Sequence, residues 1–132
     1  MAEPLVMVVD DDPDIAEYFA SFLEDHGFTV ESAGSASSAL ELLETCAPSI
    51  ILIDVLLPGR SGLDLLVSLR RDHRFREMPL VMVSGSDRVL QGECQSYLAA
   101  HDGVRGPDGV LAKPVDRDAL LLMVKSLCNG SA

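Results

Sequence analysis

The sequence predicts an α/β protein: a doubly wound, five-stranded parallel sheet with helices on both faces. Three observations lead there. Short apolar runs alternate with longer stretches of helical period, the pattern of βα units. Hydrophobic residues make up 48% of the chain but aromatic ones only 5%, so the core rests on Val, Ile, Leu, Met and Ala, as parallel strands covered on both faces require. The 132 residues suffice for one well-buried core and not for a second of ordinary size, so residues 1–132 are expected to form a single domain.

The elements follow in order. Leu5-Val6-Met7-Val8-Val9 reads as the first strand. Pro13 suits the first position of a helix, with Asp12 as its N-cap and Asp14 and Glu17 favourable in the first turn. Ile15, Phe19, Phe22 and Leu23 form its inward stripe, and Gly27 ends it. A second strand is expected near 28–32, then a helix over about 36–45 that buries Ala39, Leu40 and Leu43 and that Pro48 stops. Ile50-Ile51-Leu52-Ile53 is the third strand. Ser61-Gly62-Leu63-Asp64 has the layout of a capping box with Asp in place of Glu, so a helix should run from Gly62 to about Asp72. Strands near 80–83 and 109–112 come next, and a last helix from Asp116 to about Leu127 turns Leu120, Leu121, Val124 and Leu127 inward. Right-handed crossovers put helices on both faces. The tail, Asn129-Gly130-Ser131-Ala132, reads as a short disordered end or a cut point.

Charge and cysteine content narrow the function classes. A formal net charge of −11 opposes binding to a phosphate backbone, so no nucleic acid partner is expected. Cys46, Cys94 and Cys128 are odd in number and widely spaced, which indicates reduced thiols and neither a disulfide framework nor a zinc site. The N-terminus lacks a positive n-region, and its apolar run is too short for a signal peptide or membrane span; a cytoplasmic protein without a membrane partner is expected.

The strand ends carry the chemistry. Asp10 and Asp11 close the first apolar run and Asp54 follows the third, while Ser84 ends the fourth and Lys113-Pro114 the fifth. In a doubly wound sheet, ligands bind beyond the carboxyl ends of the strands. If the first and third strands are neighbours, three carboxylates crowd one crevice and need a cation; an all-oxygen set of this kind suits a hard ion such as Mg²⁺.

Taken in this order, Val8-Val9-Asp10-Asp11-Asp12, Asp54 with Pro58-Gly59 and Gly62-Leu63, Ser84, and Lys113-Pro114 resemble the receiver domain of two-component response regulators over essentially the whole chain. The resemblance implies a flavodoxin-like strand order, 2-1-3-4-5, as in chemotaxis regulators. It implies a phosphorylation switch and not an enzyme in the usual sense: a phosphoryl group passes from a phosphohistidine of a sensor histidine kinase or phosphotransfer protein to Asp54, and the acyl phosphate is slowly hydrolysed. It implies Mg²⁺, or Mn²⁺, held by Asp11, Asp54, Asp10 directly or through water, and the backbone carbonyl of Leu56. Lys113 would face the phosphoryl oxygens and Asp54, Ser84 would supply the hydroxyl that moves onto the phosphoryl group, and Lys113-Pro114 would be cis. A self-dimer through the face of helix four, strand five and helix five is a further implication.

Two features depart from the family pattern. Val110 stands where the family usually carries Tyr or Phe, so the common aromatic readout has no ring here. The interval from Ser84 to Lys113 is several residues long for the family, with the excess around 91–109, where a short or irregular helix and a longer loop are expected.

Plainer readings hold elsewhere. Asp12 is first a helix cap. His26, His73 and His101 lack ligand spacing and are expected at the surface. Arg70-Arg71, with His73, Arg74 and Arg76, reads as a solvent-facing basic stretch at a helix end. An Mg²⁺-dependent aspartyl phosphatase is the alternative from another class, opposed by Leu56 where a second acidic residue would stand; a phosphorylation-independent scaffold of the same shape is the other.

Overall fold

The computed structural model describes residues 4–55, 57, 61–85 and 106–130. Strands β1 (Leu5–Val9), β2 (Thr29–Ala33), β3 (Ile50–Asp54), β4 (Leu80–Ser84) and β5 (Gly109–Ala112) form one parallel sheet in the order β2-β1-β3-β4-β5. Helices α1 (Pro13–Glu24), α2 (Ala36–Leu43), α3 (Gly62–Arg71) and α4 (Arg117–Gly130) connect or follow them.

Strand alternation divides the core in two. Val6, Val8, Ile50, Leu52, Val81 and Val83 point to one face, where Ala16, Phe19 and Leu23 of α1 and Leu120 and Val124 of α4 cover them. Met7, Val9, Ile51, Ile53, Leu80 and Met82 point to the other, against Ala36, Ala39 and Leu43 of α2 and Leu63, Leu66 and Leu69 of α3. Because both faces are covered, the central strands read as unbroken apolar runs. The order reverses at β1, which opens a crevice between the carboxyl ends of β1 and β3.

Helix starts follow the expected chemistry. The Asp12 carboxylate accepts the Asp14 N–H at 3.0 Å, and the Ser61 hydroxyl accepts the Leu63 N–H at 3.1 Å. Ser35 caps α2 through the Ser38 N–H at 3.1 Å. Gly27, at φ 88°, supplies the left-handed residue that turns the chain from α1 towards β2.

Some boundaries and faces differ. In α1, Ala16 is buried while Ile15 and Phe22, expected on the inward stripe, are only half-buried. Helix α4 continues through Gly130, past the expected end near Leu127. The basic stretch does not all face solvent: Arg70 is 3% exposed and built into the core edge, whereas Arg74 stays outside. The irregular helix and loop expected over 91–109 fall largely on residues outside the described ones, as do Leu56, Pro58-Gly59 and His101.

Candidate functional site

The crevice between β1 and β3 gathers the acidic residues. Val9 of β1 pairs with Ile53 of β3, so the next residues, Asp10 and Asp54, stand side by side at the carboxyl ends of their strands. Asp10, Asp11 and Asp54 each offer a carboxylate oxygen, and these oxygens all lie within 4.8 Å of one another. Asp10 and Asp54 are buried and Asp11 is exposed, so the cluster opens to solvent on the Asp11 side.

Lys113 enters from the end of β5. Its ammonium donates to Asp54 Oδ2 at 3.0 Å and to Asp10 Oδ2 at 3.4 Å. The strand is carried to this point by the β4 ladder, whose last bond runs from the Lys113 N–H to the Ser84 carbonyl at 2.6 Å. Ser84 is half-buried and lies in register with Ala112, and the Lys113-Pro114 bond is cis. Five residues singled out by their place at strand ends, Asp10, Asp11, Asp54, Ser84 and Lys113, thus meet at one rim of the sheet.

Burial pushes the Asp10 carboxyl above its ordinary range; the Asp12 N–H at 2.9 Å works against this, the Asp54 charge adds to it, and Lys113 only partly offsets it. Burial also disfavours the charged form of Lys113, but the hydrogen bond and charge of Asp54, reinforced by Asp10, outweigh it and hold the ammonium above its ordinary range. Three carboxylates facing one ammonium leave the cluster with an excess of negative charge. A hard divalent cation fits that donor set and that charge. Lys113 alone does not neutralise it.

Gly62 contributes in a way the sequence did not announce. A Cβ at this position would overlap the Asp54 carbonyl oxygen and lie 2.9 Å from both the Asp54 carbonyl carbon and Ile53 Cγ2. The first turn of α3 is therefore seated directly on the end of β3, where the Gly62 N–H donates to the Val55 carbonyl at 2.8 Å. A glycine just inside a helix start was the available signal; the overlap needs coordinates.

Val110 is half-buried and packs against the α2/α3 side of the core. His26 rests on the Phe22 ring with centroids 4.6 Å apart, and the His73 side chain is 88% exposed; neither adjoins the acidic cluster.

The profile of the family described as response regulator receiver domain matches residues 6–125. Response regulator Rre1 of Synechocystis sp. is 35% identical over 130 residues, which cover 96% of this chain and 53% of that protein. A sensor protein from Polaromonas sp. JS666 superposes with a TM-score of 0.85 at 32% identity, covering 98% of both chains. The receiver domain of Francisella response regulator 1452 gives 0.82 at 29% identity over 98% of this chain and 99% of the other. The chain spans about half the length of several of the curated relatives it matches.

Proposed function

Since the chain belongs to the response regulator receiver domain family, we propose that Asp54 is its phosphoacceptor and that the donor is a phosphohistidine on a sensor kinase or phosphotransfer protein. One observation carries the reading: the ammonium of Lys113 lies 3.0 Å from Asp54 Oδ2 inside a cluster of three carboxylates that a divalent cation fits.

Phosphoryl transfer asks a protein for position and charge compensation more than for covalent help. An Asp54 oxygen forms the new P–O bond as the P–N bond of the donor breaks and its electron pair returns to the imidazole. Lys113, a compact point charge, stays beside Asp54 and faces the added phosphoryl oxygens. Asp10, Asp11 and Asp54, with the Leu56 carbonyl, would hold Mg²⁺ or Mn²⁺, which when bound screens the phosphoryl charge from the carboxylates. Ser84 offers its hydroxyl to the phosphoryl group, and its movement is transmitted through β4 to the segment that follows. With Val110 at the third position before Lys113, that transmission proceeds without a rotating ring. The exchange is a signalling event in the cytoplasm, ended by hydrolysis of the acyl phosphate. Dimerisation through β5, α4 and the segment preceding β5 would give one route to output.

Asp54→Asn tests the reading. Incubated with acetyl phosphate and Mg²⁺, the wild-type protein should gain a phosphoryl group at Asp54 and the variant none. Full labelling of the variant would remove Asp54 from the role.

A further inference from the structure

Far from the acidic cluster, at the opposite end of the sheet, one guanidinium holds three chain segments together. Arg70 sits in the last turn of α3 with its side chain 1% exposed. Nη1 donates to the Arg76 carbonyl at 3.0 Å and the Met78 carbonyl at 2.6 Å, in the loop that leads into β4. Nη2 donates to the Gly106 carbonyl at 3.2 Å and to Asp108 Oδ2 at 2.9 Å, in the segment that leads into β5. The same Asp108 oxygen accepts the Leu80 N–H at 2.9 Å, at the first residue of β4. A buried charge needs hydrogen-bond partners, and both terminal nitrogens of this one are engaged by the segments that lead into two neighbouring strands.

β5 is the strand that needs such an anchor. It is four residues long, lies at the sheet edge against β4 alone, and buries only Leu111 fully. Short edge strands with little buried surface open most readily. Its four-residue ladder with β4 is flanked by two terminal bonds, from the Asp108 N–H to the Leu80 carbonyl at 2.7 Å and from the Lys113 N–H to the Ser84 carbonyl at 2.6 Å. Lys113 is the first residue after the strand, so any shift at the start of β5 is delivered to its ammonium.

We propose that Arg70, through its buried pair with Asp108, is a positioning residue for phosphoryl transfer, fixing the register of β5 and thereby the place of Lys113 beside Asp54. The proposal rests on Asp54 and Lys113 acting as described above. Asp10 and Asp11 follow β1 and Asp54 ends β3, so β5 reaches them only through the Lys113 ammonium, and metal binding and labelling rate should separate.

The experiment uses acetyl phosphate as donor, so that no partner surface intervenes, and compares Arg70→Lys and Asp108→Asn with wild type at saturating Mg²⁺. Each is then repeated in a Lys113→Ala background, and folding of every variant is checked by circular dichroism. The expected result is an initial labelling rate lowered about 10-fold in each single variant. Mg²⁺ affinity should not fall below that of wild type, since a displaced Lys113 competes less for Asp10 and Asp54, and the Lys113→Ala background should show no further loss. Arg74→Ala, which removes an exposed arginine four residues on, should label at the wild-type rate. Wild-type rates in folded Arg70→Lys and Asp108→Asn overturn the proposal. So does an undiminished loss in the Lys113→Ala background, because that marks a general structural role. Failure of the wild-type protein itself to label would instead strike the phosphoacceptor reading.

Discussion

Gly62→Ala probes how tightly the acceptor strand is seated. The added methyl overlaps the Asp54 carbonyl oxygen and crowds the Asp54 carbonyl carbon and Ile53 Cγ2, each at 2.9 Å. To recover an ordinary carbon contact, α3 must retreat from the end of β3 by about 1 Å. That movement stretches the 2.8 Å bond from the Gly62 N–H to the Val55 carbonyl beyond useful length, a loss of about 1 kcal/mol. Overpacking in a filled site adds about 1–3 kcal/mol. The better helix propensity of alanine recovers at most about 1 kcal/mol, and less in a first turn. The net expectation is a destabilisation of about 2–3 kcal/mol, a large share of the roughly 5–15 kcal/mol that holds an ordinary domain together. Urea denaturation followed by far-ultraviolet circular dichroism reads this as a lower midpoint at unchanged slope. Labelling by acetyl phosphate should also slow by about 10-fold or more, because the strand end that carries the Asp54 carboxylate loses the helix turn seated on it. A variant with wild-type midpoint and wild-type labelling would refute the reasoning, since the methyl would then have found room that the backbone geometry denies it.

Three further outcomes are expected. Lys113→Ala should bind Mg²⁺ more tightly, since it removes the cation that competes for Asp10 and Asp54, yet label more slowly by about 100-fold; weaker Mg²⁺ binding by calorimetry would contradict the charge argument. Asp10 carries a raised pKa in the fold, so its stabilising share is complete below the ordinary carboxylate value of 3.8 and is lost as pH rises through the folded value. In chelator, Asp10→Asn should therefore be more stable than wild type at pH 7, with the gap closing towards pH 4; a gap that widens on acidification would reverse the sign. Arg74 holds the Asp72 carboxyl down at about 2, yet both lie at the surface, so Arg74→Ala should leave the denaturation midpoint in place while Asp108→Asn, facing a buried guanidinium, lowers it.

Arg70 and Arg74 show where reading along the chain stops. Both belong to one basic stretch at the end of α3, and composition gives them the same solvent-facing role. Arg70, however, stands in helical phase with Leu63 and Leu66, and that phase was the overlooked signal. Its partner Asp108 is 38 residues away and reads locally as a turn former.

The five parallel strands and the placing of Asp10, Asp11, Asp54, Ser84 and Lys113 at their carboxyl ends were open to sequence reading, while the strand order came from the resemblance to receiver domains. Apolar runs of strand length must be buried on both faces, and a doubly wound sheet sends every strand's carboxyl end to one rim. What only packing decided is which of these groups is dry and which is wet. Asp10 is 5% exposed beside an exposed Asp11, Gly62 has no space for a methyl, and Arg70 lies inside while Arg74 lies outside. Periodicity assigns a residue to a face of its own element. The depth it reaches depends on the neighbouring element that covers it, and that neighbour is chosen by the whole chain.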